Sequence, residues 1–180
     1  MISSRIAGAF ALSFTLAAGA MAEEVEITLI DPLDGDLNSY CLDISGGLGE
    51  GADPAAGLQA HTCYSYRGSL EVDQIFEADR FADGVLYMPR FDVCATLVGR
   101  EAGAMIGLAA CDGGDMQMIA LQEDGTLRPA VAQEMCLTVG EETRMGRGGT
   151  SPHQIKSLTL EACDAELATY QAWRPRTEND

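Results

Sequence analysis

Apolar and polar residues alternate along much of this chain with the period of two that is typical of β-strands. Near the beginning, Val25, Ile27 and Leu29 alternate with polar residues, which predicts a half-buried strand that ends before the Asp-Pro pair at 31–32. No window carries a long amphipathic helix. Gly, Asp and Pro clusters separate the short apolar segments and predict frequent turns. The pattern therefore indicates an all-β protein.

One of these strand patterns recurs three times, each time before a cysteine. Apolar residues stand five and three positions upstream of that cysteine, at Leu58 and Ala60, Ile106 and Leu108, and Leu158 and Leu160. Each unit also has a first cysteine, this second cysteine and then a glutamine, and the three sets are Cys41, Cys63, Gln74; Cys94, Cys111, Gln117; and Cys136, Cys163, Gln171. We interpret this as a threefold internal repeat with units at about 35–83, 84–124 and 125–176.

The first 22 residues have the features of a cleaved signal peptide. Arg5 precedes an apolar stretch that ends in Ala20-Met21-Ala22, a small-residue cleavage pattern. A short membrane anchor is the alternative, but the stretch is too short and too rich in small residues for a comfortable span. We therefore expect a secreted or periplasmic protein with one domain at 23–176 and a disordered tail at 177–180.

Acidic residues dominate the charge of the chain. The full sequence has a formal net charge of −17, and loss of Arg5 with the signal peptide would bring it near −18. Repulsion from so acidic a surface argues against nucleic acid, anionic lipid and polyanionic glycans as partners. Neutral ligands, cations and basic proteins stay open, and no membrane span is expected in the mature chain.

The six cysteines of an exported protein indicate three disulfides. Six cysteines allow fifteen pairings in general. If the three repeats fold alike, however, the pairs must be equivalent, which predicts Cys41–Cys63, Cys94–Cys111 and Cys136–Cys163. No Cys-x-x-Cys spacing supports zinc or redox chemistry.

Together these motifs resemble the ricin B-type lectin family. The elements are Cys41-Leu42-Asp43, Asp73-Gln74-Ile75-Phe76, Gln171-Ala172-Trp173 and the Asp-Gly-Thr-Leu-Arg-Pro segment at 124–129, and the resemblance extends from about residue 35 to 176. It implies a β-trefoil of twelve strands, four per repeat. The position of the family's Gln-x-Trp aromatic holds Phe76, Ile119 and Trp173, which we expect to fill the core.

The resemblance also implies a shallow sugar pocket within a repeat. Its parts are an acceptor two places after the first cysteine, a platform two places before the second cysteine, and a polar residue beside the glutamine. The first repeat has usable groups throughout, and they are Asp43, Gln59, His61, Asp73 and Gln74. The corresponding residues of the second repeat, Thr96, Ala109 and Met116, and of the third, Thr138, Glu161 and Tyr170, lack the carboxylate or the platform. One site for a neutral glycan is therefore predicted, with Tyr64 and Tyr66 at its rim.

Structural roles are open for some of the same residues. Asp43 could cap a turn, and Gln74 could satisfy buried backbone groups. A metal bound by Asp43, His61 and Asp73 is a less favoured alternative. We expect no cofactor and no enzyme, because the sequence has only two histidines and no nucleophile elbow, metalloprotease or phosphate-loop motif.

A second function class stays open beside the lectin. The same fold could display loops to a protein partner, as an exported interaction module or inhibitor without sugar binding. The acidic surface would then favour a basic partner, whose binding weakens as salt rises. The long loops near residues 45–57 and 140–154 would carry such contacts.

Overall fold

The computed structural model describes residues 22–46, 49–177 and 180. The predicted signal peptide lies outside the described residues except for Ala22, and so do residues 178 and 179 of the predicted tail. The signal peptide, the domain limits and the tail therefore stay predictions. In the described part of the chain, no helix is long and apolar enough to cross a membrane.

The described residues form fourteen β-strands in three successive groups. The first group is β1 (Glu24–Leu29), β2 (Tyr40–Ile44), β3 (Leu58–Thr62) and β4 (Phe76–Glu77). The second is β5 (Tyr87–Met88), β6 (Val93–Leu97), β7 (Ile106–Ala109) and β8 (Ile119–Leu121). The third is β9 (Leu127–Pro129), β10 (Met135–Val139), β11 (Arg144–Met145), β12 (Gln154–Lys156), β13 (Leu158–Ala162) and β14 (Trp173–Arg176).

Helical structure is confined to short turns. Two of them are four-residue turns, α1 (Gly146–Gly149), in which Arg147 and Gly148 have left-handed backbone angles, and α2 (Ala168–Gln171). Six are 3₁₀ turns, at Pro54–Ala56, Tyr64–Arg67, Val72–Gln74, Ala78–Asp83, Asp115–Gln117 and Ala165–Leu167. The prediction of an all-β chain without a long helix is confirmed for these residues.

The largest sheet joins the two ends of the described chain and elements of different repeats. Its strand order is β11-β12-β3-β2-β1-β14, with β4 also paired to β1. The remaining strands form the smaller sheets β5-β6-β7, β8-β9 and β10-β13. Because β12 pairs with β3, part of the third group lies against the first.

Strand β1 differs from the half-buried strand that its sequence predicts. Its apolar residues are 1% exposed, as expected, but Glu26 and Thr28 on the other face are also 0% and 1% exposed. The polar face is covered because Glu26 forms an ion pair with Arg176, at 2.8 Å, and Thr28 pairs with Cys41 of β2. Alternation alone cannot show that a partner for the charge exists.

The core contains the residues at the aromatic position of each repeat. Phe76, Ile119 and Trp173 are 0%, 0% and 1% exposed, so their predicted core role is confirmed. Trp173 Nε1 also donates a hydrogen bond of 3.1 Å to the carbonyl of Leu137, which satisfies the polar atom of the indole.

The three disulfides connect the cysteines that the repeat predicts. They are Cys41–Cys63, Cys94–Cys111 and Cys136–Cys163, with Cα–Cα distances of 5.0, 5.1 and 5.0 Å. Each closes a loop of a size that stabilises a fold by about 3 kcal/mol in the chain-entropy model.

Candidate functional site

A cleft of about 790 Å³ lies between the first group of strands and the β11–β12 hairpin. One part of its wall comes from β3 and the turns after it, through Gln59, His61, the aromatic turn at Tyr64–Arg67 and Asp73. The other part comes from the turn and strand around residues 146–155. The two parts of the wall meet where β12 pairs with β3, and in that pairing Ile155 lies opposite His61.

Asp73 has a buried acceptor atom with no partner among the described residues. The side chain is 1% exposed and lies in the turn Val72–Gln74. Its Oδ2 accepts a hydrogen bond of 2.9 Å from the backbone N–H of Gly49, while Oδ1 accepts none. Leaving a buried polar atom unpaired costs about 1–3 kcal/mol. Since Asp73 also lines the cleft, a ligand that donates a hydrogen bond there would remove that cost.

Asp43 is more deeply placed and is not part of the cleft wall. It is 1% exposed, and its two oxygens accept hydrogen bonds from Gln59 Nε2, at 2.8 Å, and Gln74 Nε2, at 2.9 Å. Burial raises the pKa of Asp43 to about 8, and repulsion from Asp73 adds to the rise, while the two amide hydrogen bonds oppose it. The carboxyl group therefore holds its proton to a much higher pH than an exposed aspartate does.

Gln74 has an equivalent in each repeat, and all three glutamines make the same contacts. Each side-chain amide donates to the residue two places after the first cysteine and to the carbonyl before the second cysteine, and accepts from the N–H after it. The donor contacts are to Asp43 and Thr62, Thr96 and Ala110, and Thr138 and Ala162. The N–H donors are those of Tyr64, Asp112 and Asp164. The first repeat differs by presenting a carboxyl group where the others present a threonine hydroxyl.

Two histidines and two tyrosines form a cluster of rings in the cleft wall. The His61 ring centroid lies 5.2 Å from that of Tyr64 and 5.3 Å from that of His153. The His153 ring also lies 5.1 Å from Tyr64 and 6.1 Å from Tyr66. Burial lowers the pKa of His61 and of His153, so both imidazoles are neutral at neutral pH. Neutral rings of this kind offer both an apolar surface and a hydrogen-bonding nitrogen.

All five predicted site residues lie together at this cleft. Gln59, His61 and Asp73 line it, whereas Asp43 and Gln74 form the hydrogen-bonded layer that holds Gln59. His153, Arg67 and Arg147 also line the cleft, and the sequence did not predict them as site residues. The long loop near 140–154 was recognised in the sequence, but no motif there indicated contact with the first repeat.

The corresponding positions of the other repeats offer less. Thr96 and Thr138 are hydrogen-bonded to Gln117 and Gln171. A hollow of about 170 Å³ beside the Cys94–Cys111 disulfide is lined by Gln117 and Arg80 but contains neither Thr96 nor Ala109.

Among the described residues, the one set of His, Cys, Asp or Glu ligand atoms close enough for a metal ion is Glu26 with Cys41 and Cys63. Both cysteines are oxidised in a disulfide, so they supply no thiolate ligand.

Solved structures with this architecture are known, although no protein-family model and no curated protein sequence matches the chain. The agglutinin of Abrus precatorius superposes with a TM-score of 0.59 and 18% identity, over 90% of this chain and 51% of the agglutinin chain. The β-trefoil lectin of the Vibrio vulnificus hemolysin/cytolysin, with N-acetyl-D-lactosamine bound, gives 0.52 and 19%, over 88% of this chain and 96% of its own. The C-half of an earthworm R-type lectin, in complex with GalNAc, gives 0.52 and 13%, over 86% and 98%.

The fold is a β-trefoil. At these identities the likeness shows the fold, and the chain spans about half the length of the Abrus chain that it matches. Twelve of the strands are the four per repeat that the trefoil implies, and β11 and β12 are additional. This hairpin is inserted between β10 and β13 of the third repeat, and it supplies the part of the cleft wall that the repeats themselves lack.

Proposed function

We propose that this trefoil is a secreted saccharide-binding protein with one competent site, the cleft of the first repeat. The observation that carries the proposal is Asp73, which lines the cleft and whose buried Oδ1 has no hydrogen-bond donor among the described residues. Support comes from the Vibrio and earthworm trefoils, which were solved with N-acetyl-D-lactosamine and GalNAc. Sugar hydroxyls are donors of the kind that Asp73 requires.

The cleft combines the two features that a sugar ring needs. Asp73 and Gln59 would bind hydroxyl groups, and the cluster of His61, Tyr64 and Tyr66 would cover an apolar face of the ring. In this proposal Asp43 acts through Gln59, because both of its oxygens already accept amide hydrogen bonds. Gln74 then holds Asp43 in place.

Export belongs to the same proposal. A cleaved signal peptide at 1–22 would release a trefoil domain at 23–176, and three disulfides fit an oxidising compartment. The periplasm and the extracellular space both meet this condition. The repeat limits near 84–124 and 125–176 are proposed on the same grounds, and the first repeat, predicted at about 35–83, is proposed to begin earlier so that it includes β1.

The test is glycan binding by the full chain, produced by export so that its disulfides form. We expect Asp73→Asn to lose at least about tenfold in affinity for the glycans that the wild type selects from a broad panel. The N–H of Gly49 would hold the amide oxygen, so a donor instead of an acceptor would face the cleft. The matched control is Asp115→Asn, an exposed carboxylate in the corresponding turn of the second repeat, which should bind as the wild type does.

Absence of binding across the panel, with the protein shown to be folded by thermal melting, would refute the saccharide proposal. The second candidate, a protein-interaction module, would then be preferred. It is favoured by Val98 and Met105, which are 66% and 64% exposed at the β6–β7 connection. Capture experiments with basic exported proteins, compared with Val98→Ser and Met105→Ser variants, would test it.

A further inference from the structure

Two arginines line the cleft without an acidic partner. Arg67 and Arg147 are both exposed at its wall, and neither forms an ion pair with a described acidic residue. Glu71 also lines the cleft, and its charge adds to the hydrogen bond between Arg67 and Tyr66 in raising the pKa of Arg67, without a direct ion pair. Four other basic residues have acidic partners, in the pairs Arg90–Glu24, Arg128–Asp124, Lys156–Asp34 and Arg176–Glu26.

Both arginines lie on the His153 side of the cleft. Arg67 Nη2 is 3.3 Å from His153 Nε2, and the Arg67 guanidinium lies over the rings of Tyr64 and Tyr66, at 4.9 and 5.5 Å from their centroids. Arg147 reaches the same region from the turn between β11 and β12, where its φ is +50°. The positive charges of Arg67 and Arg147 add to burial in lowering the pKa of His153.

The cleft therefore has two electrostatic regions. At one, Glu71 and Asp73 supply carboxylates, and Asp73 Oδ1 has no hydrogen-bond partner among the described residues. At the other, the two guanidinium groups supply donors and positive charge. His61 lines the same cleft, and burial lowers its pKa, with smaller opposing effects from the charges of Asp73 and Arg67. A ligand that fits both regions needs hydroxyl donors and, at a distance from them, an anionic group.

We propose that the ligand of this cleft is an acidic saccharide, a sugar whose ring carries a single carboxylate or sulfate group that Arg67 and Arg147 bind. The inference rests on the proposed saccharide function and replaces the neutral glycan that the net charge suggested. A single charge agrees with the acidic surface, because repulsion grows with the charge of the ligand. At physiological salt the Debye length is about 8 Å, so the adjacent arginines decide the local interaction.

The experiment compares glycans in matched pairs that differ by one charged group. The pairs are galactose with galacturonate, glucose with glucuronate, and N-acetylglucosamine with its 6-sulfate, titrated into the full oxidised chain by calorimetry. We expect the charged member of at least one pair to bind about tenfold or more tightly than the neutral member, since charge-assisted hydrogen bonds are the stronger kind. The carboxylate and sulfate pairs distinguish the two sources of the charge.

Arginine variants test which residues cause the preference for the charged glycan. In Arg67→Gln/Arg147→Gln the affinity for the charged member should fall toward that for its neutral partner. Arg100→Gln is the control, because it removes a positive charge from an exposed loop residue outside the cleft. This variant should keep the preference for the charged glycan.

The possible outcomes distinguish the acidic ligand from the saccharide function on which it rests. Equal binding of neutral and charged members would leave the saccharide function in place and overturn the acidic ligand. A preference that survives in the double variant would overturn the role of the two arginines. Failure of every pair to bind would overturn the acidic ligand, while the saccharide function is decided separately by the broad panel.

Discussion

At the scale of single residues, the glutamine of each repeat does the same structural work, and the first repeat adds a carboxyl group to it. The Gln74 side chain is 0% exposed and contacts Asp43, Thr62 and Tyr64. Gln117 has the matching contacts in the second repeat, but its partner is the hydroxyl of Thr96. A comparison of Gln74 with Gln117 therefore separates the contribution of the glutamine to stability from its contribution to the candidate site.

We expect Gln74→Ala to lower the free energy of unfolding by about 2–3 kcal/mol, because buried hydrogen-bonding groups lose their partner. It should also abolish saccharide binding, since Asp43 and Gln59 would no longer be held. Urea denaturation and glycan titration measure the two effects. Gln117→Ala should cost a similar free energy and leave binding unchanged, and loss of binding in Gln117→Ala would contradict this division of roles.

Asp43 should make the stability of the protein depend on pH. Its pKa rises from 3.8 to about 8 on folding, so the folded state binds the proton more tightly than the unfolded state. This contribution to stability is complete below about pH 4 and is lost as pH rises to about 8, with a slope of up to about 1.4 kcal/mol per pH unit.

Asp43→Asn should remove that slope, because the amide does not titrate. Its Nδ2 cannot accept the hydrogen bond that Gln59 or Gln74 donates to one of the Asp43 oxygens, so the variant also loses a constant free energy at every pH. The free energy of unfolding, measured from pH 4 to 8.5, should favour the variant increasingly as pH rises. Asp115→Asn is the control and should follow the wild type. Parallel curves for wild type and Asp43→Asn would show that Asp43 is charged in the fold.

At the scale of elements, the inserted β11–β12 hairpin is held to the first repeat by buried polar contacts. Lys156 is 3% exposed, and its Nζ lies 3.1 Å from Asp34 and 2.7 Å from the carbonyl of Glu141. The N–H of Gln154 donates to Thr62 Oγ1 at 2.8 Å, across 92 positions of sequence. These contacts fix the hairpin near its base, while the turn at residues 146–151 faces the cleft.

Deletion of residues 147–150 should therefore leave the fold intact and damage the site. The ends of the deleted segment are already close, since Ser151 donates a hydrogen bond of 3.1 Å to the carbonyl of Gly146. We expect a melting temperature within a few degrees of the wild type, because the removed residues are exposed and loop changes cost little. Glycan affinity should fall at least about tenfold by calorimetry, and unchanged affinity would show that the first repeat binds alone.

At the scale of the whole molecule, the trefoil is closed by the pairing of its first and last strands. Strand β1 pairs with β14 from Glu26 to Leu29. Across this junction Arg176 donates two hydrogen bonds to Glu26 Oε2, at 2.8 and 3.2 Å, and the Glu26 carboxylate is fully buried. The N–H of Ser65 and the side chain of Asn38 complete the network.

Arg176→Ala should cost about 3–5 kcal/mol of unfolding free energy, because it leaves a buried carboxylate without its counter-charge. The double variant Glu26→Gln/Arg176→Met removes both charges and should recover part of the loss. Guanidinium denaturation of the two variants gives the comparison. A double variant less stable than Arg176→Ala would show that the strands need the ion pair itself.

The threefold repeat made the disulfide pairing and part of the core predictable from the sequence. Equivalent positions in three units fixed the disulfide pairing and the core placement of Phe76, Ile119 and Trp173. The same alignment of motifs brought together Asp43, Gln59, His61, Asp73 and Gln74, because they all belong to one repeat and their spacing is local. Whether they bind a sugar stays a prediction, but their proximity follows from the repeat.

Only the tertiary structure decided which residues from elsewhere complete the cleft and which polar residues are buried. The pairing of β12 with β3 brings His153 and Arg147 to the first repeat, and the closure by Arg176 buries Glu26. Among the described residues the hairpin has no counterpart in the other repeats, and an ion pair across 150 positions leaves no periodic signal. The sequence by itself thus determined the repeated frame, because local spacing and threefold equivalence encode it. Long-range contacts that occur once in the molecule, such as the pairing of β12 with β3, determined the shape and charge of the site.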